Sequence, residues 1–217
     1  MKEGLTELVF ILDRSGSMGI MMKEAIGGFN SFLEEQKKLP GEAKLTLALF
    51  DNHYDLICNG KDIKCVEPLD ECTYAPRGTT ALLDAIGRTV DDVGRRLNET
   101  PENERPSKVL VAILTDGLEN ASKDYTGNKI NEIITHQRGK YSWEFLFLAA
   151  NQDAIDTGTT IGIQPRMSYN YCCSSVGGTL NAFKSVTRAA TSYRVSGSIG
   201  DVDPLNQTKA SGSANKQ

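Results

Sequence analysis

The chain has 217 residues, of which 39% are hydrophobic and 24% charged, a composition typical of one folded domain and not of a disordered chain. Its formal net charge of −4 and the absence of basic segments interleaved with aromatic residues argue against a nucleic-acid partner. No apolar segment approaches the roughly 20 residues that span a bilayer, and the amino terminus lacks signal-peptide features. We therefore expect a cytoplasmic protein without a membrane partner.

The first half of the chain predicts a buried strand, a helix and a hairpin. Residues 8–12 form a continuous apolar run, which is typical of a strand covered on both faces. A helix follows, because apolar residues recur at three- and four-residue steps at Met22, Ile26, Phe29 and Leu33. Residues 44–57 contain two apolar runs around a linker too short for a crossover helix, and therefore predict an antiparallel hairpin at a sheet edge.

The second half continues the alternation of helices and strands. Helical spacing predicts a second helix through Leu82, Ile86, Val90, Val93 and Leu97. Residues 109–114 and 145–150 are two further buried strands, and a short helix from about Gln152 leads to a last strand over residues 166–171. A final helix is predicted through Leu180, Phe183, Val186, Ala190 and Tyr193.

These elements predict a doubly wound α/β domain. We expect a mostly parallel six-stranded sheet with one antiparallel edge strand and helices on both faces. The domain is assigned to residues 1–195. Residues 196–217 are rich in Ser, Gly, Asn and Lys and nearly devoid of apolar residues, which predicts a flexible tail.

The carboxyl edge of such a sheet is where open α/β domains bind ligands. Asp13-Arg14-Ser15-Gly16-Ser17 follows the first strand and presents a carboxylate and two hydroxyls on alternate residues. Oxygen groups without His or Cys suit a hard divalent cation better than zinc, and we favour Mg²⁺, with Mn²⁺ or Ca²⁺ as alternatives. Since Asp13 and Asp116 would only balance its charge, the ion stays electrophilic and could accept an outside carboxylate in place of a water.

These segments resemble the metal-ion-dependent adhesion site of the von Willebrand factor type A domains, also called the integrin I-like fold. The family's Asp-x-Ser-x-Ser stands here as residues 13–17, its Thr in a Gly-rich loop before a helix as Thr80 within residues 78–86, and its Thr-Asp-Gly turn as residues 115–117. The resemblance covers roughly residues 5–195. It implies that the metal ligands are Asp13, Ser15, Ser17, Thr80 and Asp116, with Thr79 as the alternative to Thr80.

The resemblance also implies the role of each ligand. Ser15 and Ser17 would contact the ion directly and Thr80 directly or through water, while the two aspartates would act mainly through water and hydrogen bonds to the serines. A protein partner would complete the coordination with an Asp or Glu. The alternative interpretation is structural, because Asp13, Ser17 and Thr80 could cap helices and residues 115–117 could be a strand-ending turn.

Position 15 separates docking from catalysis. Phosphotransfer enzymes on similar sheets need a second carboxylate two residues after the strand's Asp, and here that residue is Ser15. The chain also lacks a nucleophile elbow, a phosphate loop and a dinucleotide fingerprint. We therefore expect a metal-dependent protein-binding module and no enzyme. A metal-dependent phosphoesterase and a scaffold with a vestigial metal site are the alternatives.

Side chains around the predicted site have simpler interpretations. Arg14 and Arg77 flank it, and solvated surface is the favoured interpretation for each. His53 and His136 are interpreted as surface residues and not as ligands or bases. The five cysteines are an odd number without Cys-x-x-Cys spacing, which indicates thiols and not a disulfide framework.

Overall fold

The computed structural model of the chain describes residues 1–150, 154–173 and 177–200. The strands among these residues are β1 (Lys2–Asp13), β2 (Glu42–Phe50), β3 (Tyr54–Asp62), β4 (Pro106–Thr115), β5 (Glu144–Ala149) and β6 (Ser168–Asn170). The α-helices are α1 (Met22–Lys38), α2 (Leu82–Glu99), α3 (Gly127–Tyr141), α4 (Ala154–Thr160) and α5 (Gly178–Ser196).

The strands form one six-stranded sheet in the order β3-β2-β1-β4-β5-β6. Every neighbouring pair is parallel except β2 and β3, which are antiparallel. The predicted fold class is therefore confirmed, including the antiparallel strand at one edge. The hairpin forms because only residues 51–53 join β2 to β3, and so short a link cannot cross the sheet.

Helices cover both faces of the central strand β1, as its alternating side chains show. On one face Phe10 packs edge-on against Phe29 and Phe32 of α1 and stacks on Phe183 of α5. On the other face Glu7 forms an ion pair with Arg96 of α2. Both faces are buried, which explains why residues 8–12 are apolar without alternation.

Three strands differ clearly in length from the sequence prediction, and one of them, β3, continues to Asp62, beyond the predicted end of the hairpin at residue 57. β1 begins at Lys2, because its first half pairs with the starts of β2 and β4, and there the charge of Glu7 is matched by Arg96. β6 has only three residues, since a 3-10 turn over Pro165–Met167 precedes it. The polar residues around these strands in the sequence form no pattern from which the strand bounds could be predicted.

Some predictions fall partly outside the described residues. Gln152, the predicted start of the short helix, lies outside them, and α4 is described from Ala154. In the predicted tail, α5 continues to Ser196 and Ile199 packs against the core, while residues 201–217 lie outside the described part. None of the helices in the described part is long and apolar enough to cross a membrane.

Candidate metal centre

Asp13 is the buried anchor of the predicted site, at the end of the central strand. One carboxylate oxygen, Oδ1, accepts a hydrogen bond of 2.7 Å from the backbone N–H of Ser15. The other, Oδ2, accepts one of 2.6 Å from the hydroxyl of Thr115, the last residue of β4. The carboxylate therefore ties the loop after β1 to the end of the neighbouring strand.

The two serines and Asp116 lie next to this contact between the loop after β1 and the end of β4. The Oγ atoms of Ser15 and Ser17 are 3.1 Å apart, and Ser17 Oγ donates to Asp116 Oδ1 over 2.7 Å. Ser15 is buried, whereas Ser17 is exposed, so the cluster reaches from the protein interior to solvent. Four of the five predicted ligands are thus joined in one chain of short contacts, counting the backbone link from Asp13.

The third segment is held against the first by backbone hydrogen bonds. Arg77 N donates to Arg14 O at 2.9 Å and Gly16 N donates to Gly78 O at 3.2 Å. Thr80 is buried, and its Oγ1 lies only 2.7 Å from the position that a Cβ at Gly117 would take. The Thr80 hydroxyl therefore borders the residue after Asp116, whereas Thr79 is exposed to solvent. This geometry favours Thr80 over Thr79.

Helix capping does not account for these side chains. A six-residue 3-10 helix over Gly16–Met21 follows the first loop, and its N-cap, Ser15, makes no side-chain capping hydrogen bond. The N-cap residues of α1 and α2 are Met21 and Ala81, again without side-chain caps. The polar groups of the loop are thus directed at one another instead of at helix ends.

Burial makes the carboxyl groups of this cluster harder to ionise. It raises the pKa of Asp13 to about 6, and the nearby charge of Asp116 adds to the increase, while hydrogen bonds from Thr115 and Ser15 oppose it. Burial likewise raises the pKa of Asp116, against the hydrogen bond from Ser17. Two carboxylates that repel each other in a partly buried cluster would both be stabilised by a cation.

The donor set fits a hard divalent cation. The side chains brought to this edge offer hydroxyl and carboxylate oxygens, which are the ligands that Mg²⁺, Mn²⁺ and Ca²⁺ prefer. In the described part of the chain, no group of three or more His, Cys, Asp or Glu residues is arranged to hold a metal. A cation here would therefore depend on serine and threonine hydroxyls as well as on carboxylates.

The interpretation of Arg14 as solvated surface is wrong. Its side chain is only 6% exposed and forms ion pairs with Asp51 Oδ2 at 3.2 Å and Asp55 Oδ2 at 2.6 Å. Asp51 also receives hydrogen bonds from Arg77 Nε at 3.0 Å and from the backbone N–H of His53 at 2.6 Å. Arg14 is buried because these carboxylates replace the water that a lone guanidinium would require.

Asp51 is a residue that the sequence analysis missed. Burial alone would raise its pKa, but hydrogen bonds from His53 and Arg77 and the charge of Arg14 outweigh burial and lower the pKa. Its backbone carbonyl accepts from Ala81 N at 3.0 Å, so it also holds the threonine loop. Asp51 directly follows β2, and the rule that identified Asp13 and Asp116 at strand ends would have identified it too.

Two further supports lie in irregular segments. The buried Tyr74 donates its hydroxyl to the backbone carbonyl of Asp13 at 2.6 Å. Asn120 pairs with Thr80 in both directions. Its side-chain Oδ1 accepts from the backbone N–H of Thr80 at 2.9 Å, and its own backbone N–H donates to Thr80 O at 3.1 Å. Neither residue belongs to a periodic pattern, so sequence periodicity carried no signal for them.

Comparisons with known proteins identify the fold. No protein-family model and no curated protein sequence matches the chain. Among solved structures, proximal thread matrix protein 1 from the mussel byssus, with a zinc-occupied MIDAS motif, is 16% identical with a TM-score of 0.58, covering 86% of this chain and 46% of that chain. A von Willebrand factor type A structure from Catenulispora acidiphila is also 16% identical, with a TM-score of 0.55, covering 86% and 42%.

A third similar structure is the manganese-loaded TRAP protein of Plasmodium vivax. It is 18% identical with a TM-score of 0.53, over 76% of this chain and 66% of that one. The chain thus spans less than two thirds of the length of each of these three proteins. At such identities the likeness concerns the fold, and the fold is that of a von Willebrand factor type A domain.

Proposed function

We propose that this chain, a domain with the von Willebrand factor type A fold, is a metal-dependent protein-binding module. A divalent cation would lie at the carboxyl edge of the sheet, held by Asp13, Ser15, Ser17, Thr80 and Asp116, and would accept an Asp or Glu of a partner protein. The observation that carries the proposal is the short contact of the Ser15, Ser17 and Asp116 oxygens at a point open to solvent.

The proposed roles of these residues follow from their burial and their hydrogen bonds. Ser15 and Ser17 present hydroxyls that can turn toward an ion, and Thr80 offers a third from the opposite loop. Asp13 has both carboxylate oxygens engaged, by Ser15 N and the Thr115 hydroxyl, so we assign it to positioning the loop and to binding the ion through water. Asp116 would act mainly through water and its hydrogen bond to Ser17.

The ion's part in the function is to attract and bind an acidic group. With two carboxylates balancing a double charge, it keeps exchangeable water, and a partner's carboxylate can replace that water. We propose Mg²⁺ as the ion because all the donors are oxygen. The zinc-occupied motif of the mussel protein and the manganese-loaded TRAP protein support occupancy by a divalent ion in this fold.

We further propose that the module is not an enzyme. Serine at position 15 leaves no second carboxylate next to Asp13, and the oxygens of Asp13 already accept two hydrogen bonds. A general base or a nucleophile must reach the reacting atom directly or through one water. Asp116, the other carboxylate of the described cluster, accepts the hydrogen bond of Ser17, and the remaining side chains are hydroxyls, which need a base to become nucleophiles.

Capture of a partner tests this function. The immobilised chain is incubated with extract of its native cells, in Mg²⁺ or in chelator. The variant Asp116→Ala is tested in the same way. The control Asp62→Ala removes the same charge near the start of β2, at the end of the sheet opposite the candidate site. We expect one set of proteins retained by wild type and by the control in Mg²⁺, and lost in chelator and with Asp116→Ala. Retention that is indifferent to both treatments would contradict the proposal.

A further inference from the structure

Two bulky apolar side chains stand in solvent next to the candidate metal centre. Ile20 is 97% exposed and Leu118 is 62% exposed. Ile20 lies three residues after Ser17, and Leu118 lies two residues after Asp116. Single exposed apolar residues are ordinary, but here the loops of two proposed ligands each carry one.

Local structure directs Ile20 away from the core. The 3-10 helix over Gly16–Met21 has about three residues per turn, so Met18 and Met21 share one face. Both methionines are buried, at 0% and 5% exposure. Ile20 does not lie on this buried face, and its exposure follows from the anchoring of Met18 and Met21.

Leu118 is likewise held at the surface by the residues that follow it. Glu119 accepts backbone hydrogen bonds from Leu83, Ala121 and Ser122, and Asn120 pairs with Thr80. These contacts fasten the loop to the start of α2 immediately after Leu118. The leucine therefore has a fixed place beside Asp116 without entering the core.

The two side chains stand on loops whose proposed ligands, Ser17 and Asp116, contact each other. Ser17 Oγ and Asp116 Oδ1 are 2.7 Å apart, and a chain extends by at most about 3.6 Å per residue. Ile20 is three residues from Ser17 and Leu118 is two residues from Asp116. The Cα of Ile20 therefore lies within about 11 Å of the Cα of Ser17, and the Cα of Leu118 lies within the same distance of the Cα of Asp116. An acidic side chain that reached an ion held by Ser17 and Asp116 would bring its own sequence neighbours close to the loops that carry Ile20 and Leu118.

We infer, resting on the proposed function, that the partner presents its acidic residue between bulky apolar residues in an extended segment. The cation selects the carboxylate by charge, and Ile20 and Leu118 select apolar neighbours by burial. A glutamate or aspartate among small polar residues leaves both side chains in water and binds more weakly.

Three immobilised peptides of equal length test the inference. They carry Leu-Glu-Leu, Ser-Glu-Ser or Leu-Gln-Leu at the centre of the same Gly-Ser frame, and binding of the chain is measured in Mg²⁺ and in chelator. We expect the Leu-Glu-Leu peptide to bind about tenfold more tightly than Ser-Glu-Ser, since burying large apolar side chains contributes on that order. Binding to Leu-Gln-Leu, or in chelator, is expected to be lost.

Variants locate the selectivity on the protein. Ile20→Ser and Leu118→Ser should each reduce the preference for Leu-Glu-Leu while Mn²⁺ titration still detects the ion. The control Val195→Ser removes an apolar residue that is 69% exposed at the end of α5, near the start of β4 at the other edge of the sheet, and should change nothing. A preference that survives both site variants would overturn the inference.

The outcomes distinguish failure of this inference from failure of the proposed function on which it rests. Equal, metal-dependent binding of both glutamate peptides would overturn the inference and leave the proposed function standing. Failure of every glutamate peptide to bind in Mg²⁺ would overturn both. Mg²⁺-dependent self-association of the chain, lost with Ile20→Ser, would make a second copy the occupant and would overturn the inference of a separate partner.

Discussion

At the residue scale, the candidate centre rests on charges that are matched behind it. Asp51 is fully buried and faces Arg14, which is nearly buried, while Asp55 meets the same guanidinium from a position that is 45% exposed. Removing one partner of a buried ion pair leaves the other charge without compensation, whereas an exposed pair contributes little. The two aspartates therefore differ in importance although both contact Arg14.

We predict that Asp51→Ala lowers the free energy of unfolding by about 3 kcal/mol, because it leaves the buried Arg14 with only the half-exposed Asp55 as a partner and removes the hydrogen bonds of Arg77 and His53. Asp55→Ala, the matched control on the same arginine, should cost under about 1 kcal/mol. Urea unfolding of the two variants measures both values. Equal destabilisation would show that burial does not determine how much these contacts contribute to the free energy of unfolding.

Two residues of the candidate centre were predictable from strand ends, and their supports were only partly so. Asp13 and Asp116 follow buried apolar runs, and the periodicity that places the strands also places the carboxylates at one edge. Arg14 was misinterpreted because its burial depends on Asp51, a contact between two strand ends that neither local sequence reveals. Tyr74 acts from an irregular segment and left no pattern to detect.

At the element scale, the site is formed by loops that are locked to one another. The loop after β4 meets the start of α2 through Asn120 and Thr80, and the Gly-rich loop meets residues 14–16 by backbone hydrogen bonds. Gly117 leaves room where the first pair meets, because a Cβ there would come within 2.7 Å of Thr80 Oγ1 and would displace that hydroxyl. The loops therefore fix the position of the Thr80 hydroxyl at this edge.

We predict that Asn120→Ala weakens Mn²⁺ or Mg²⁺ binding about tenfold, since residues that orient metal ligands typically contribute that much. Its free energy of unfolding should fall by about 1 kcal/mol, the worth of one hydrogen bond. Asn131→Ala is the control: it loses a bond of 2.9 Å from Asn131 Nδ2 to Thr160 O, away from the site.

The control should lose similar stability and keep its metal affinity. Calorimetric titration and urea unfolding of both variants give the four values. If the two variants bind the ion equally well, Asn120 has no positioning role at this site. Sequence analysis could not supply this residue, because pairing of Asn120 with Thr80 spans 40 positions and involves no periodic element.

At the scale of the whole molecule, alternation of buried strands and amphipathic helices was enough to predict the sheet, its antiparallel edge and its two helical layers. Strand limits were less accessible, because the polar start of β1 is stabilised by neighbours that are distant in sequence. The fold in turn explains the site: four strand ends, those of β1, β2, β4 and β5, meet at one edge beside each other. The candidate site lies where the topology gathers these ends.

The central claim is that this edge binds one divalent ion through serine hydroxyls. Its most direct test is isothermal titration of Mn²⁺ or Mg²⁺ into the wild type, Ser17→Ala and the control Ser107→Ala, whose hydroxyl lies at the start of β4 at the opposite edge. We predict one ion per chain for wild type and control, and affinity about tenfold or more weaker for Ser17→Ala. No binding by the wild type, or equal binding by all three proteins, would contradict it.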